Sequence, residues 1–260
     1  LAVRCVLDDA VARNGQFDLE PQHFSLSRLD LKKGKICYDN KYAKPEAAGL
    51  DVNHLALNAL AIRVDSFFYS PERLTMGISK FSFREKCGFC LSDMSCRVLM
   101  DTARLNIPSL SIVTPASRMQ AKLAMDLNAF ADTLPGSLSA NLNARLGFAD
   151  LAALLPYMKP YVSRMPYAFI DVKGEMKGNM QKAHVPVFSL QIPGAMTARA
   201  DGWLQNLTDI DRLKGHMAFA VRTQQIDAIR RVLPAETAAS FRLPSGMALD
   251  GKVAFDGARY

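Results

Sequence analysis

The sequence predicts an all-β fold, an elongated antiparallel sheet curled into a groove and carrying two short helices. Three observations predict it. Apolar and polar residues alternate with period two through most of the chain, the pattern of strands with one apolar and one wet face. Turn residues punctuate these runs at regular intervals. A strand, short apolar helix, strand unit also occurs twice, near 144–178 and 222–257. In the helical part Phe148, Leu151, Leu154, Leu155 and Pro156 match Ile226, Ile229, Val232, Leu233 and Pro234 at an offset of 78 residues. Ile170, Met176 and Gly178 then match Leu249, Phe255 and Gly257 at an offset of 79. A unit recurring at near-constant spacing implies an architecture that grows by addition, each unit burying its apolar face against its neighbours. Function is then expected from a long surface, with no localised active site.

The elements follow in order. Strands are expected over 22–31, 34–39, 53–66, 72–84, 90–101 and 104–113. Lys33-Gly34 reads as the turn between the first two, which puts Lys32, Lys33 and Lys35 at a hairpin tip. Residues 40–52, with Pro45 and Gly49, read as an irregular loop. Near Lys80 the apolar phase passes from Leu74, Met76 and Ile78 to Phe81 and Phe83, a slip that would flip the face, so a β-bulge or bend is expected there.

Over 119–127, Met119, Ala121, Leu123, Met125 and Leu127 oppose Gln120, Lys122 and Asp126. Over 137–147, Leu138, Ala140, Leu142, Ala144 and Leu146 oppose Ser139, Asn141, Asn143 and Arg145. Over 167–177, Ala168, Ile170, Val172 and Met176 oppose Asp171, Lys173, Glu175 and Lys177. Strands over 194–205, 214–223 and 247–255 complete the series. The short helices are expected near 148–158 and 225–233.

About a dozen strands therefore each expose an apolar face that two helices of two or three turns cannot cover. The sheet must curl until that face meets itself, or something else must fill it: a second sheet, a partner chain or lipid acyl chains. The expected apolar lining is Met119, Leu123, Met125, Leu127, Leu138, Leu142, Leu146, Ile170, Val172, Met176, Met217, Phe219, Val221, Leu249, Val253 and Phe255. These are soft side chains without convergent polar groups, which suits a nonspecific apolar guest better than one shaped ligand.

Composition narrows the classes further. The chain has 260 residues, enough for a sizeable core in one domain, and no clean domain boundary is visible. It is read as a single elongated groove, an internal fragment of a longer protein, because it begins at Leu1 with neither Met nor a basic-then-apolar leader. No window of 18 consecutive apolar residues occurs, so no transmembrane helix is expected within it. The net charge of +7 invites a nucleic-acid reading, but aromatics do not interleave with the densest cluster, Lys32, Lys33 and Lys35, and elsewhere Lys and Arg sit singly on polar strand positions. A solvated positive face is the expectation, with no nucleic-acid partner.

Several stretches resemble the TamB/AsmA-like family of Gram-negative bacteria, in its Bacteroidota-type form. They are Leu29 to Asn40 (Leu-Asp-Leu-Lys-Lys-Gly-Lys-Ile-Cys-Tyr-Asp-Asn), Leu50 to Leu57 (Leu-Asp-Val-Asn-His-Leu-Ala-Leu), Phe81 to Phe89 with its Glu-Lys-x-Gly, Leu110 to Ser117 ending in Thr-Pro-x-Ser, and Leu142 to Pro156. Together they cover most of residues 20–180 in the family's order. Cys87 departs from the pattern, and the family's membrane anchor and carboxy-terminal conserved domain lie outside this sequence.

The resemblance implies a taco-shaped β-sheet crossing the periplasm from an inner-membrane anchor, with an apolar inner groove. It implies a part in outer-membrane biogenesis, moving phospholipid between the inner and outer membranes. An alternative role is translocation and assembly, or secretion, of outer-membrane proteins, with an outer-membrane partner engaged through the missing carboxy-terminal region. A solenoid-like surface module that binds protein or glycan is a further alternative.

No catalytic, cofactor or metal residues are expected, and the chain is not read as an enzyme. Cys87-Gly-Phe-Cys90 is the one redox-like motif, with Cys96 close behind, but apolar strand patterns flank it. In an extended segment these thiols would point to opposite faces. His23, His54, His184 and His216 show no paired ligand spacing. Gly174-x-x-x-Gly178 sits in a strand pattern and is expected to permit bending or close strand approach. Trp203 falls on the opposite parity to Met196, Ala198 and Leu204. Far-UV circular dichroism should show less than about a third helix, the base rate of mixed globular proteins; more would overturn the fold class.

Overall fold

A computed structural model describes residues 6–7, 11–13, 16–18, 23–46, 49–131, 133–162, 168–224 and 246–257. The first strands are β1 (Val6–Leu7), β2 (Val11–Arg13), β3 (Gln16–Asp18), β4 (Phe24–Leu26), β5 (Leu29–Asp39), β6 (His54–Ser70) and β7 (Arg73–Glu85). There follow β8 (Cys90–Leu91), β9 (Asp93–Asp101), β10 (Arg104–Val113), β11 (Arg118–Asp126) and β12 (Leu138–Gly147). A helical connection, α1 (Phe148–Leu154), a 3₁₀ turn (Pro156–Met158) and α2 (Lys159–Val162), precedes β13 (Phe169–Gly178). The chain continues as β14 (Lys182–Ile192), β15 (Met196–Gln205), a 3₁₀ turn (Ile210–Arg212), β16 (Lys214–Thr223) and β17 (Met247–Asp256).

Fifteen strands form one sheet, ordered β1-β4-β6-β7-β9-β10-β11-β12-β13-β14-β15-β16-β17, with β5 added on β6 and β8 on β7. Every pairing is antiparallel, and from β9 to β17 each strand pairs with the next in sequence. The sheet is open and curled. Its two ends, β1 and β17, do not pair with each other.

The phase slip near Lys80 is a bulge. Val64 pairs with Ile78 while Arg63 pairs with Lys80, leaving Ser79 as the extra residue, so Ile78 and Phe81 keep one face. The expected hairpin at Lys33-Gly34 is not formed. β5 runs straight through it, pairing with β6 from Leu29–Val64 to Asp39–His54. Lys33 takes the left-handed conformation (φ 57°), and the register shifts on both sides of Gly34. The Lys-Gly signal thus marks a bulge, and the three lysines line an edge strand instead of a tip.

A second miss is β14, which fell in the gap between expected strands. Pro186 and the run Val185, Val187, Phe188 break its alternation, because a bulge lies there: Val185 pairs with Gly202 and Phe188 with Ala200. Proline lacks the N–H that a ladder needs, so bulges are where strands tolerate it.

The first expected helix is present but short, and its connection leaves the end of β12 without crossing the sheet. The second, 225–233 with Ile226, Ile229, Val232 and Leu233, lies outside the described residues. Asp150 of α1 anchors the connection. Its carboxylate accepts hydrogen bonds from the hydroxyls of Thr114 and Ser117 in the β10–β11 turn. Ser117 Oγ in turn accepts from the Gly147 N–H (2.9 Å), and Thr114 Oγ1 from the Ser117 N–H (2.7 Å). Gly147 is required beside this turn because a Cβ there would collide with Ala116. The Thr-Pro-x-Ser stretch is therefore a clasp between two hairpins. Asp150→Ala should cost about 1–3 kcal/mol by stranding two hydroxyls, read as a lowered denaturant midpoint, with Asp150→Asn closer to wild type.

Candidate functional site

The antiparallel registers carry one set of side chains across the whole sheet. One row runs Ile78, Cys96, Leu110, Ala121, Leu142, Gly174, Phe188, Ala200, Phe219 and Gly251, each paired with the next. A neighbouring row runs Met94, Ile112, Met119, Ala144, Val172, Leu190, Ala198, Val221 and Leu249. Because side chains alternate between faces with period two, these rows build one continuous apolar face.

That face carries an apolar hollow. Between β10 and β14 it encloses an open cavity of about 470 Å³, within the range of roughly 300–1,000 Å³ seen for ligand sites. Ile107, Leu110, Leu123, Leu142, Val172, Met176, Val185 and Phe188 line it, with Ala121, Ala140 and Gly174 between them. Lys122, Asn141 and Glu175 also contribute atoms to it, from strand positions of the opposite parity, and its wall is almost wholly apolar. All of these residues belong to strands.

Two proline bulges flank this space. On β10, Ile107 pairs with Leu123 and Leu110 with Ala121, so a spacing of three still presents both to the cavity, with Pro108 between. On β14, Val185 and Phe188 do the same around Pro186. A bulge bends its strand and adds local twist. The curvature around the cavity thus coincides with two positions where proline interrupts the ladder. Ile107, Leu110, Val185 and Phe188 were absent from the expected lining, since an i, i+3 spacing breaks strict alternation; a proline inside an apolar run was the available signal.

Among the expected lining residues, Leu123, Leu142, Val172 and Met176 border the cavity. Leu138 is buried, while Asn141 and Asn143 are exposed on the other face. Met119, Met125, Leu146 and Ile170 are half-buried on the cavity side, as are Met217, Phe219, Val221 and Phe255 farther along the sheet. Leu249 and Val253 share that side but are 49% and 42% exposed, because among the described residues β17 has no strand beyond it. Leu127 is a correction: it lies past the end of β11 in the following turn and is 44% exposed.

Glycines set beside phenylalanines shape the floor. The Phe219 ring lies over Gly251 and the Phe255 ring over Gly215, where a Cβ would collide with each ring, and Phe188 approaches Gly174. Gly178 (φ 141°) sits against the backbone of Lys182 and Ala183, the close approach expected of it.

The opposite face is polar. Arg145 makes a bidentate pair with Asp171 (2.8 and 3.1 Å) and stacks over Phe169. Arg104–Asp126, Arg222–Asp250 and Lys214–Asp256 pair along it. Trp203 stands exposed on this face against His184, their ring centroids 4.5 Å apart, with Lys182 Nζ 5.0 Å above the indole.

The cysteine motif is neither fully extended, the case in which its thiols would face apart, nor the start of a helix. Residues 85–89 form a turn closed by Glu85 N–H to Phe89 O (2.9 Å), with Gly88 at φ 96°. Glu85 is buried and accepts from the N–H groups of Cys87 (2.5 Å) and Ala56 (3.1 Å). Burial alone would raise its pKa, but the Cys87 thiol and the N–H groups of Cys87, Ala56 and Lys86 outweigh that and hold the carboxyl below its ordinary value. Burial, then the hydrogen bond to Glu85, push the Cys87 thiol up, the reverse of what a nucleophilic thiol needs.

Among the described residues no three His, Cys, Asp or Glu side chains gather as a metal site, and no helix is long and apolar enough to cross a membrane. Comparison with protein-family models, curated proteins and solved structures yields no match for this chain.

A depressed carboxyl stabilises the fold above its unfolded pKa and loses that contribution as pH falls through the folded value. Stability should therefore fall below about pH 4.5, the ordinary glutamate value. Glu85→Gln should be less stable at neutral pH and show a flatter acid branch in urea titrations at stepped pH. An acid branch identical to wild type would remove Glu85 from this role.

Proposed function

We propose that this chain is a non-catalytic stretch of a groove protein that carries phospholipid acyl chains along its apolar face. The carrying observation is an apolar face that runs across the open sheet with no second layer on it among the described residues. Side chains on the groove side are mostly half-buried, the state of residues that need a further apolar layer. The inward groups offer no convergent donors or acceptors, so the reading favours chains over headgroups.

The cargo, the periplasmic setting and an inner-membrane anchor are what the TamB/AsmA-like resemblance implies. A second reading, a scaffold for outer-membrane protein assembly, draws on β17. Its ten residues pair with β16 in unbroken register and, among the described residues, leave their other backbone edge open, where a nascent strand could add. A surface-binding solenoid has less support, since the polar face shows paired charges and one exposed tryptophan in place of aromatic clusters.

Photocrosslinkers at Leu142 and Ile170, with Asn141 and Lys173 as outward controls, test the leading reading in bacteria carrying the full protein. Lipid adducts at the first pair alone support it; equal labelling at all four, or none, overturns it, and protein adducts raise the scaffold. Leu142→Arg places a charge in the groove, costing several kcal/mol where it is dry but much less where it is open. The expected outcome is a folded protein that loses lipid adducts at Ile170.

A further inference from the structure

We infer that the corner formed by the outer half of β5 and the loop after it docks on a bilayer surface containing anionic phospholipid. Large apolar side chains stand exposed there together: Ile36, Tyr38, Tyr42, Leu50 and Val52, with Tyr42 fully exposed. The loop displaying them is pinned. Asp51, only 2% exposed, accepts from the N–H groups of Glu46 (2.9 Å) and Asn53 (3.0 Å) and meets His54 Nδ1 at 2.9 Å. Asn40 Nδ2 bonds Asn53 Oδ1 (3.2 Å), and the Asn40 N–H bonds the Asn53 carbonyl (2.8 Å). Exposed tyrosine on a preorganised loop pays little ordering entropy on docking.

Charge selects the occupant. Lys33, Lys35, Lys41 and Lys44 are exposed around this corner and have no acidic partner among the described residues. Of the nearby acids, Asp30 is engaged with Arg63, Arg28 and Lys32, and Asp51 with His54 and two N–H groups; the exposed carboxylates of Glu46 and of Asp39, 3.4 Å from His54 Nε2, still leave the four lysines in excess. Tyrosine and aliphatic side chains among an excess of lysines match the interface of an anionic membrane, where rings sit at headgroup level and each lysine adds attraction. A protein partner would need an acidic face of matching shape, for which nothing else in this corner argues. The inference does not depend on what the groove carries.

Flotation with phosphatidylcholine vesicles, with and without phosphatidylglycerol, tests it. Wild type should float with the anionic vesicles and lose that binding at high salt. The double variant Tyr42→Ser, Val52→Ser and the quadruple variant Lys33→Gln, Lys35→Gln, Lys41→Gln, Lys44→Gln should each bind roughly tenfold or more weakly. All these positions are exposed, and unchanged melting curves would show the variants folded. Leu142→Arg should float like wild type. Equal flotation with neutral vesicles, or unchanged binding in either variant, overturns the inference. Loss of flotation in Leu142→Arg alone overturns it too and assigns the binding to the groove. A crosslinker at Tyr42 that captures protein instead of lipid also overturns it.

Discussion

Backbone pairing between neighbouring strands, added in chain order from β9 to β17 and not closed among the described residues, is the constraint on which the rest depends. Each antiparallel ladder satisfies the N–H and C=O groups of two strands at once, and the period of two then sends every second side chain to the same face. Neither condition supplies a second layer. A barrel would bury that face by closure and a sandwich by duplication. Among the described residues this sheet does neither, so apolar rows more than eight strands long stay half-covered, and the curl that narrows them into a groove becomes the central physical feature.

Curvature needs local departures from the ladder, and the departures found here keep the apolar face intact. At each bulge the extra residue restores the phase that a plain strand would lose. Ile78 and Phe81, Ile107 and Leu110, and Val185 and Phe188 are three apart yet share a side. Glycine completes the arrangement. Where Phe219 and Phe255 fold over Gly251 and Gly215, aromatic area covers the floor without rising into the groove as two large side chains in opposition would.

Much of this was legible in the sequence because alternation is a direct image of strand geometry. The runs 119–127 and 137–147 gave strand, face and lining together, since no proline or bulge interrupts them. Lys33-Gly34 misled because one residue in the left-handed region serves a bulge as well as a hairpin, and only the pairing of β5 with the long β6 separates the two. β14 was missed because the proline that argues against a central strand is what a bulged one accommodates. Leu127 was wrongly included because alternation continues one residue past the point where the ladder stops. The helix near 148 was legible from its leucines. The clasp holding it was not, because Asp150 is 33 residues from Ser117 in sequence.

The two faces of the sheet also protect its register. Ion pairs on the polar side join residues directly opposite or near each other, as Arg145 does with Asp171 and Arg222 with Asp250. A slip of one residue in β13 would send Asp171 and Lys173 into the groove and Ile170 and Val172 into water. Each surface pair is worth little as a bond, on the order of 0–1 kcal/mol, but charge on that face makes the slipped register costly. An open apolar groove can therefore stay a defined surface without a layer packed against it. The groove supplies the affinity for an apolar guest, and the charged face keeps the groove from turning outward.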